Sequence, residues 1–158
     1  MRISTRFSDS IHILAFIETY KGKLPLSSEH IAESIETSPV VVRRLMGKLR
    51  SAGLIKTVHG SADPKLMREP KDISLYDVFL AVEDEQHLFA IDPKTNPDCI
   101  VGGNIQTTLS EFYKQAETVA KAKLATISLQ DVLNSILVKQ SEKDPQKLIN
   151  SNLKSSRR

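Results

Sequence analysis

The stretch "SSEHIAESIETSPVVVRRLMGKLRSAGLI", residues 27–55, restricts the fold more than any other part of the chain. Ser27 is placed to cap a short helix reaching about Ile35, with Ile31, Ala32 and Ile35 facing inward. Thr37 closes a tight turn, Ser38 is a second N-cap, and Pro39 takes the first helical position, where a missing N–H costs nothing. The next helix runs to about Ala52, and Gly53 ends it. Two helices joined so closely must cross near contact. Ala32 is small enough to permit that crossing, and Val42 on the later helix supplies the apolar contact back.

Around the second of these helices, Val42, Leu45, Met46 and Leu49 form a core stripe. The opposite face holds Val40, Arg43, Gly47 and Arg50, with Arg44 at its edge. Val40 and Gly47 do not suit a merely solvated face, since glycine costs ~1 kcal/mol against alanine inside a helix. They do suit a helix pressed into a DNA major groove, where glycine permits close approach and Val40 can touch a thymine methyl. Arg43 or Arg44 can then read a guanine edge or hold a phosphate, and the sequence leaves that choice open. A protein-binding face with scattered arginines is the other reading.

The flanking segments extend the pattern. Residues 5–21 carry Phe7, Ile11, Leu14 and Ile13, Ile17, Tyr20 at helical spacing, ended by Gly22 and Pro25. "LIKTVH" (54–59) alternates as a half-buried strand, "GSADP" (60–64) is turn chemistry, and "KLMR" (65–68) returns as the second strand. Ser74 caps a helix over 74–83, and the stretch from His87 to Gly103, rich in proline and glycine, is expected to be an irregular loop. From Asn104 to about Ile127, Ile105, Leu109, Phe112, Ala116 and Val119 keep a four–three spacing that predicts a long packing helix. A short helix follows over 128–138. The expected fold is mainly α with a small β-hairpin: a winged helix-turn-helix domain plus a long C-terminal dimerisation helix.

The parts are a DNA-binding winged domain (1–71), a linker helix and sensor-type loop (72–103), and a dimerisation helix with its short C-terminal helix (104–139). A basic tail (140–158) is expected to be disordered. Charge supports the division. Ser38 to Gly60 holds five basic residues and no acid, while Asp72 to Asp92 holds six acids and neither Lys nor Arg. A basic block within a balanced chain points to a local polyanion site.

Several classes are disfavoured. No apolar run approaches the ~18 residues of a membrane span, and no signal-peptide core opens the chain, so a cytoplasmic location without membrane contact is expected. The single cysteine, Cys99, excludes an internal disulfide framework and an all-cysteine metal site. His12, His30, His59 and His87 lack metal-ligand spacing, so no metal or cofactor is expected. No nucleophile–base pair or phosphate-binding glycine loop stands out, and an enzyme is not expected. Cys99 reads either as a small hydrophobe or as a redox or electrophile sensor in a Pro/Gly loop beside the long helix.

"MRISTRFSDSIHILAFI", residues 27–55, "KDISLYDVFLAVE" and "NPDCIVGGNIQ" together resemble the bacterial Rrf-two family of winged-helix transcription regulators, from Met1 to about Leu137. The resemblance implies a homodimer whose long helices cross and a palindromic operator. It points to Ser38, Pro39, Val40, Arg43, Arg44 and Lys48 as recognition-helix contacts, joined by Gly47 on the groove-facing argument above. Thr5, Arg6, Ser27, Ser28 and the wing from His59 to Lys65 are the implied backbone contacts. Cluster-binding members carry three cysteines where loop 87–104 has only Cys99, so an iron–sulfur cluster held the family's way is not expected. The wing reads "GSADPKL" in place of a glycine-rich, tyrosine-containing tip, which weighs against minor-groove contacts. The leading expectation is a homodimeric, sequence-specific DNA-binding repressor, with the thiol-reactive signal left open by the two readings of Cys99. The other is a dimeric module docking on a metabolic enzyme.

Overall fold

Four serines set the helix starts. A computed structural model describes residues 4–85 and 87–148. Its helices are α1 (Arg6–Tyr20), α2 (Ser28–Ile35), α3 (Pro39–Ser51), α4 (Leu75–Val82), α5 (Ile105–Thr126) and α6 (Leu129–Lys143). Strands β1 (Ile55–Lys56) and β2 (Lys65–Leu66) lie between α3 and α4. Ser27, Ser38, Ser74 and Ser128 cap α2, α3, α4 and α6 by accepting the backbone N–H of His30, Val41, Asp77 and Asp131. Ser74 with Asp77 and Ser128 with Asp131 close full capping boxes, satisfying donors at both ends of the exchange. After α3, Gly53 takes φ +73°, a left-handed conformation that glycine adopts without steric cost.

The chain is thus mainly helical with one small antiparallel hairpin, as its patterning predicts. The core joins Ile13, Leu14 and Ile17 of α1, Ile31 and Ala32 of α2, and Val42, Leu45 and Leu49 of α3. Leu54, Ile55 and Ile73 continue it, and Val78 and Val82 of α4 with Leu129 and Leu133 of α6 complete it. Met46 and Ile35 are only partly buried against this cluster.

A backbone clip ties the C-terminal helices to the rest. Leu75 N–H donates to Ile127 O and Leu129 N–H to Ile73 O, both at 2.8 Å, so Ser74 and Ser128 face each other across a two-residue bridge. The turn between α5 and α6 is thereby fixed at the start of α4.

Three boundaries differ from the sequence expectation. The strands are shorter than 54–59 and 65–68: only Ile55 pairs with Leu66 and Lys56 with Lys65. Beyond Lys56 the loop finds other partners. Arg50 donates to Thr57 Oγ1 at 3.1 Å, and Leu26 N–H donates to Ala62 O at 3.1 Å, pulling the loop toward α3 and the α1–α2 connection. At the other end, α6 continues past Val138 to Lys143, and residues 145–148 are again helical. The expected disorder of the tail otherwise falls on 149–158, outside the described residues. Loop 87–104, finally, is built of hydrogen-bonded turns. Asn104 Nδ2 donates to Ile100 O, and the amides of Gly103 and Ile105 to Cys99 O and Val101 O, each at 2.8 Å. A Cβ at Gly102 would overlap the Asn96 carbonyl, and one at Gly103 would lie 2.9 Å from the Pro97 oxygen. Glycine is required at both. Among the described residues, no helix is long and apolar enough to cross a membrane.

Candidate nucleic-acid interface

The outward face of α3 follows from its buried one. With Val42, Leu45 and Leu49 fully buried, Val40, Arg43, Arg44 and Arg50 are turned to solvent, and Val40 is 68% exposed. Gly47 lies between them, and a Cβ built on it would meet nothing within 4 Å. No intramolecular packing therefore requires a glycine there. The turn that presents this helix passes through Glu36, whose φ of 60° puts a non-glycine residue in the left-handed region. Its amide, with that of Thr37, closes on the last carbonyls of α2.

The arginines differ in their company. Arg43 donates to Glu29 Oε1 on α2 at 3.2 Å, and Arg50 holds Thr57 at the wing base. Arg44 is exposed and has no side-chain partner among the described residues. Ser38 and Ser27 spend their hydroxyl oxygens on capping bonds, and Ser27 Oγ also bonds His30 Nδ1 at 2.8 Å. Pro39 occupies the first helical turn and Ser28 opens α2. Thr5 is exposed just ahead of α1, and its carbonyl accepts the Ser8 hydroxyl at 2.9 Å. On the wing, His59 is exposed, and Lys65 lies 3.4 Å from Asp63.

Two of the residues singled out from sequence converge on a third that was not. Lys48 Nζ donates to Asp84 Oδ1 at 2.6 Å and to Val82 O at 3.3 Å. Arg6 donates to Asp84 Oδ2 at 2.8 Å and to Ser4 Oγ, with Glu83 Oε2 at 3.5 Å. Both cations hold the Asp84 carboxyl below the usual carboxylate range, the Lys48 hydrogen bond most of all. In the free chain Lys48 and Arg6 are therefore occupied, unlike Arg44. The signal for Asp84 was the acidic run 72–92, but nothing in linear spacing links it to residues 78 and 36 positions away.

Glu117 was likewise invisible. It is the buried residue of α5, 5% exposed, and its carboxylate accepts Leu88 N–H at 2.6 Å and Phe89 N–H at 3.1 Å. Burial pushes its pKa up, but the two amides and His87 Nδ1 at 3.4 Å outweigh that and leave it below the ordinary range. The expected stripe on the same helix is open: Phe112 is 61% and Val119 71% exposed, Ala116 is exposed, and Ile105 and Leu109 are half-buried. Cys99 is exposed, and its Sγ accepts Gly102 N–H at 3.0 Å.

Residues 3–135 match the model of the Rrf2 (Rrf-two) family, described as an iron-dependent transcriptional regulator. YwnA of Bacillus subtilis strain 168, named as an HTH-type transcriptional regulator, is 38% identical over 134 residues, spanning 85% of this chain and 98% of YwnA. A crystal structure of a protein named as DNA-binding aligns with a TM-score of 0.64 at 35% identity, covering 81% of this chain and 98% of that one. CymR, the global cysteine regulator of B. subtilis, shares the fold with a TM-score of 0.62 at 22% identity, over 85% of this chain and 97% of its own. Iron bound as a cluster needs thiolate ligands. Cys99 is the chain's single cysteine, and no three His, Cys, Asp or Glu side chains among the described residues converge on a metal position. That donor set does not fit an iron–sulfur cluster. With a capped helix-turn-helix, a short wing and a long helix in the family's order, the chain belongs to the Rrf2 family of transcriptional regulators.

Proposed function

We propose that the protein is a homodimeric repressor that binds a palindromic DNA operator through α3, without an iron–sulfur cluster. The observation that carries this reading is the outward face of α3. It pairs exposed Val40 and three arginines with a glycine that nothing inside the molecule requires. Glycine lets the helix backbone approach base edges, the arginines supply base or phosphate contacts, and Val40 offers a methyl contact to thymine. Thr5, Ser27 and Ser28 stand at helix starts, where backbone N–H groups and hydroxyls suit phosphate oxygens. Two α3 helices in a symmetric dimer would meet half-sites about one DNA turn, ~34 Å, apart. Its activity is binding, exerted in the bacterial cytoplasm where the DNA lies.

The exposed Cys99 thiol is the candidate for a thiol-reactive signal, and Cys99→Ser should abolish any response of operator binding to a thiol oxidant. The docking-module reading drew on the acidic stretch 72–92. There Asp77 pairs with Arg68, and Glu83 and Asp84 with Arg6 and Lys48, which leaves less acid free for a partner. Selection of bound genomic fragments by the purified protein, followed by titration at several salt concentrations, tests the proposal. An enriched palindrome with a steep salt slope is the expected result. No enriched sequence, or a flat slope, would overturn it in favour of the docking module.

A further inference from the structure

We infer that Asp84 is an internal plug in a DNA-phosphate site formed by Arg6 and Lys48, and that the cost of displacing it sets how tightly the chain holds DNA. The inference rests on the DNA-binding reading above. Arg6 opens α1, Lys48 lies on the recognition helix, and Asp84 follows the end of α4. One carboxylate takes both cations, with Oδ2 2.8 Å from the guanidinium and Oδ1 2.6 Å from the ammonium. Two oxygens bridging a guanidinium and an ammonium reproduce what two oxygens of a phosphodiester would do in the same place. Glu83 Oε2, 3.5 Å from Arg6, adds a second negative charge behind the first.

A structural staple would look different. The Asp84 side chain is 69% exposed, and exposed ion pairs contribute little stability against competing water and salt. The exposure also means that an arriving phosphate can displace the carboxylate without disturbing the core. Random DNA, attracted by charge alone, meets two cations already neutralised. An operator that seats α3 in its groove brings a phosphate to a fixed position and gains enough from base contacts to displace Asp84. The operator complex bears the cost of that displacement, and random DNA either bears it too or forgoes the contact, so the plug weakens both kinds of binding.

The test compares wild type, Asp84→Asn and Asp84→Glu on a random-sequence duplex and on the fragments selected by wild type, over a series of salt concentrations. Thermal melts run alongside. Asp84→Asn should bind the random duplex about tenfold more tightly near 0.1 M salt, with a slope steeper by about one as one more phosphate is neutralised. Its gain on selected fragments should be at least as large, and Asp84→Glu should follow wild type. Combining Asp84→Asn with Lys48→Gln should remove most of the gain, because the freed ammonium is its source. Unchanged or weaker random-duplex binding by Asp84→Asn, while wild type still binds its selected fragments, overturns the plug and leaves the DNA reading standing. Failure of both wild type and Asp84→Asn to bind any DNA overturns both.

Discussion

Glu36 holds a backbone conformation that this turn needs and glutamate resists, φ 60° and ψ 48°. A left-handed L-residue costs about 1–2 kcal/mol, partly offset on substitution by glycine's larger unfolded-state freedom. Glu36→Gly should therefore raise stability by up to about 1 kcal/mol in urea melts, and a loss would mean that the glutamate side chain stabilises the turn. Gly47 was legible in sequence, as a glycine where a charged helix face wants none. With open space above it, Gly47→Ala should stabilise the free protein by up to ~1 kcal/mol, while Gly47→Leu should nearly abolish operator binding. Wild-type affinity in Gly47→Leu would remove α3 from the groove. Arg43 shares the line of Val40 and Gly47, and Arg44 lies at its edge, free of partners. Arg43→Ala should then lose ~1–3 kcal/mol and relax preference at one operator position, whereas Arg44→Ala should weaken all sequences and lower the salt slope by about one. Identical behaviour of both variants would refute that division of labour.

At the scale of elements, the starts of the helices were readable because serine caps announce them, and the core faces because apolar spacing repeats. The wing strands were overestimated, since alternation in "LIKTVH" persists where the backbone has already turned to bond α3 and the α1–α2 loop. The attachment of loop 87–104 was unreadable: Glu117 is one of two acids, with Glu111, on a helix whose periodicity is carried by other residues. Its buried carboxylate satisfies the Leu88 and Phe89 amides, so Glu117→Ala should cost about 1–3 kcal/mol and leave those amides without an acceptor. Hydrogen exchange at Leu88 and Phe89 should quicken in the variant, and unchanged exchange would show that the carboxylate does not hold the loop. The folded carboxyl lies below its ordinary range, so its contribution is fully present above an unfolded pKa of about 4.3. It is lost as pH falls through the folded value. The difference between wild type and Glu117→Ala should accordingly shrink at pH 3 relative to pH 7.

The whole molecule presents an apolar face that one chain does not cover. Helix α5 has 22 residues, about 33 Å of axis, and its stripe leaves Phe112 61% and Val119 71% exposed with Ala116 between them. Exposed apolar surface of this extent marks an interface. A second copy is the occupant proposed above, and it would let the operator be read twice. The clip between Ile73–Leu75 and Ile127–Leu129 anchors the α5–α6 turn to the start of α4, whose Val78 and Val82 share the core with α1 and α3, so pairing two such helices would fix the separation of the two α3 helices. Phe112 contributes nothing to the buried core, so Phe112→Asp should leave the melting of the winged domain nearly unchanged while placing a charge at the centre of the stripe. Light scattering should find wild type dimeric at micromolar concentration and Phe112→Asp monomeric. Losing the second half-site removes the effective-concentration gain, and operator affinity should fall by roughly 10²–10⁴. Binding to a half-site at high protein concentration should survive, because α3 and its arginines are untouched. A monomeric wild type would sink the dimer and the palindrome together, whereas a dimeric Phe112→Asp would move the interface off this stripe.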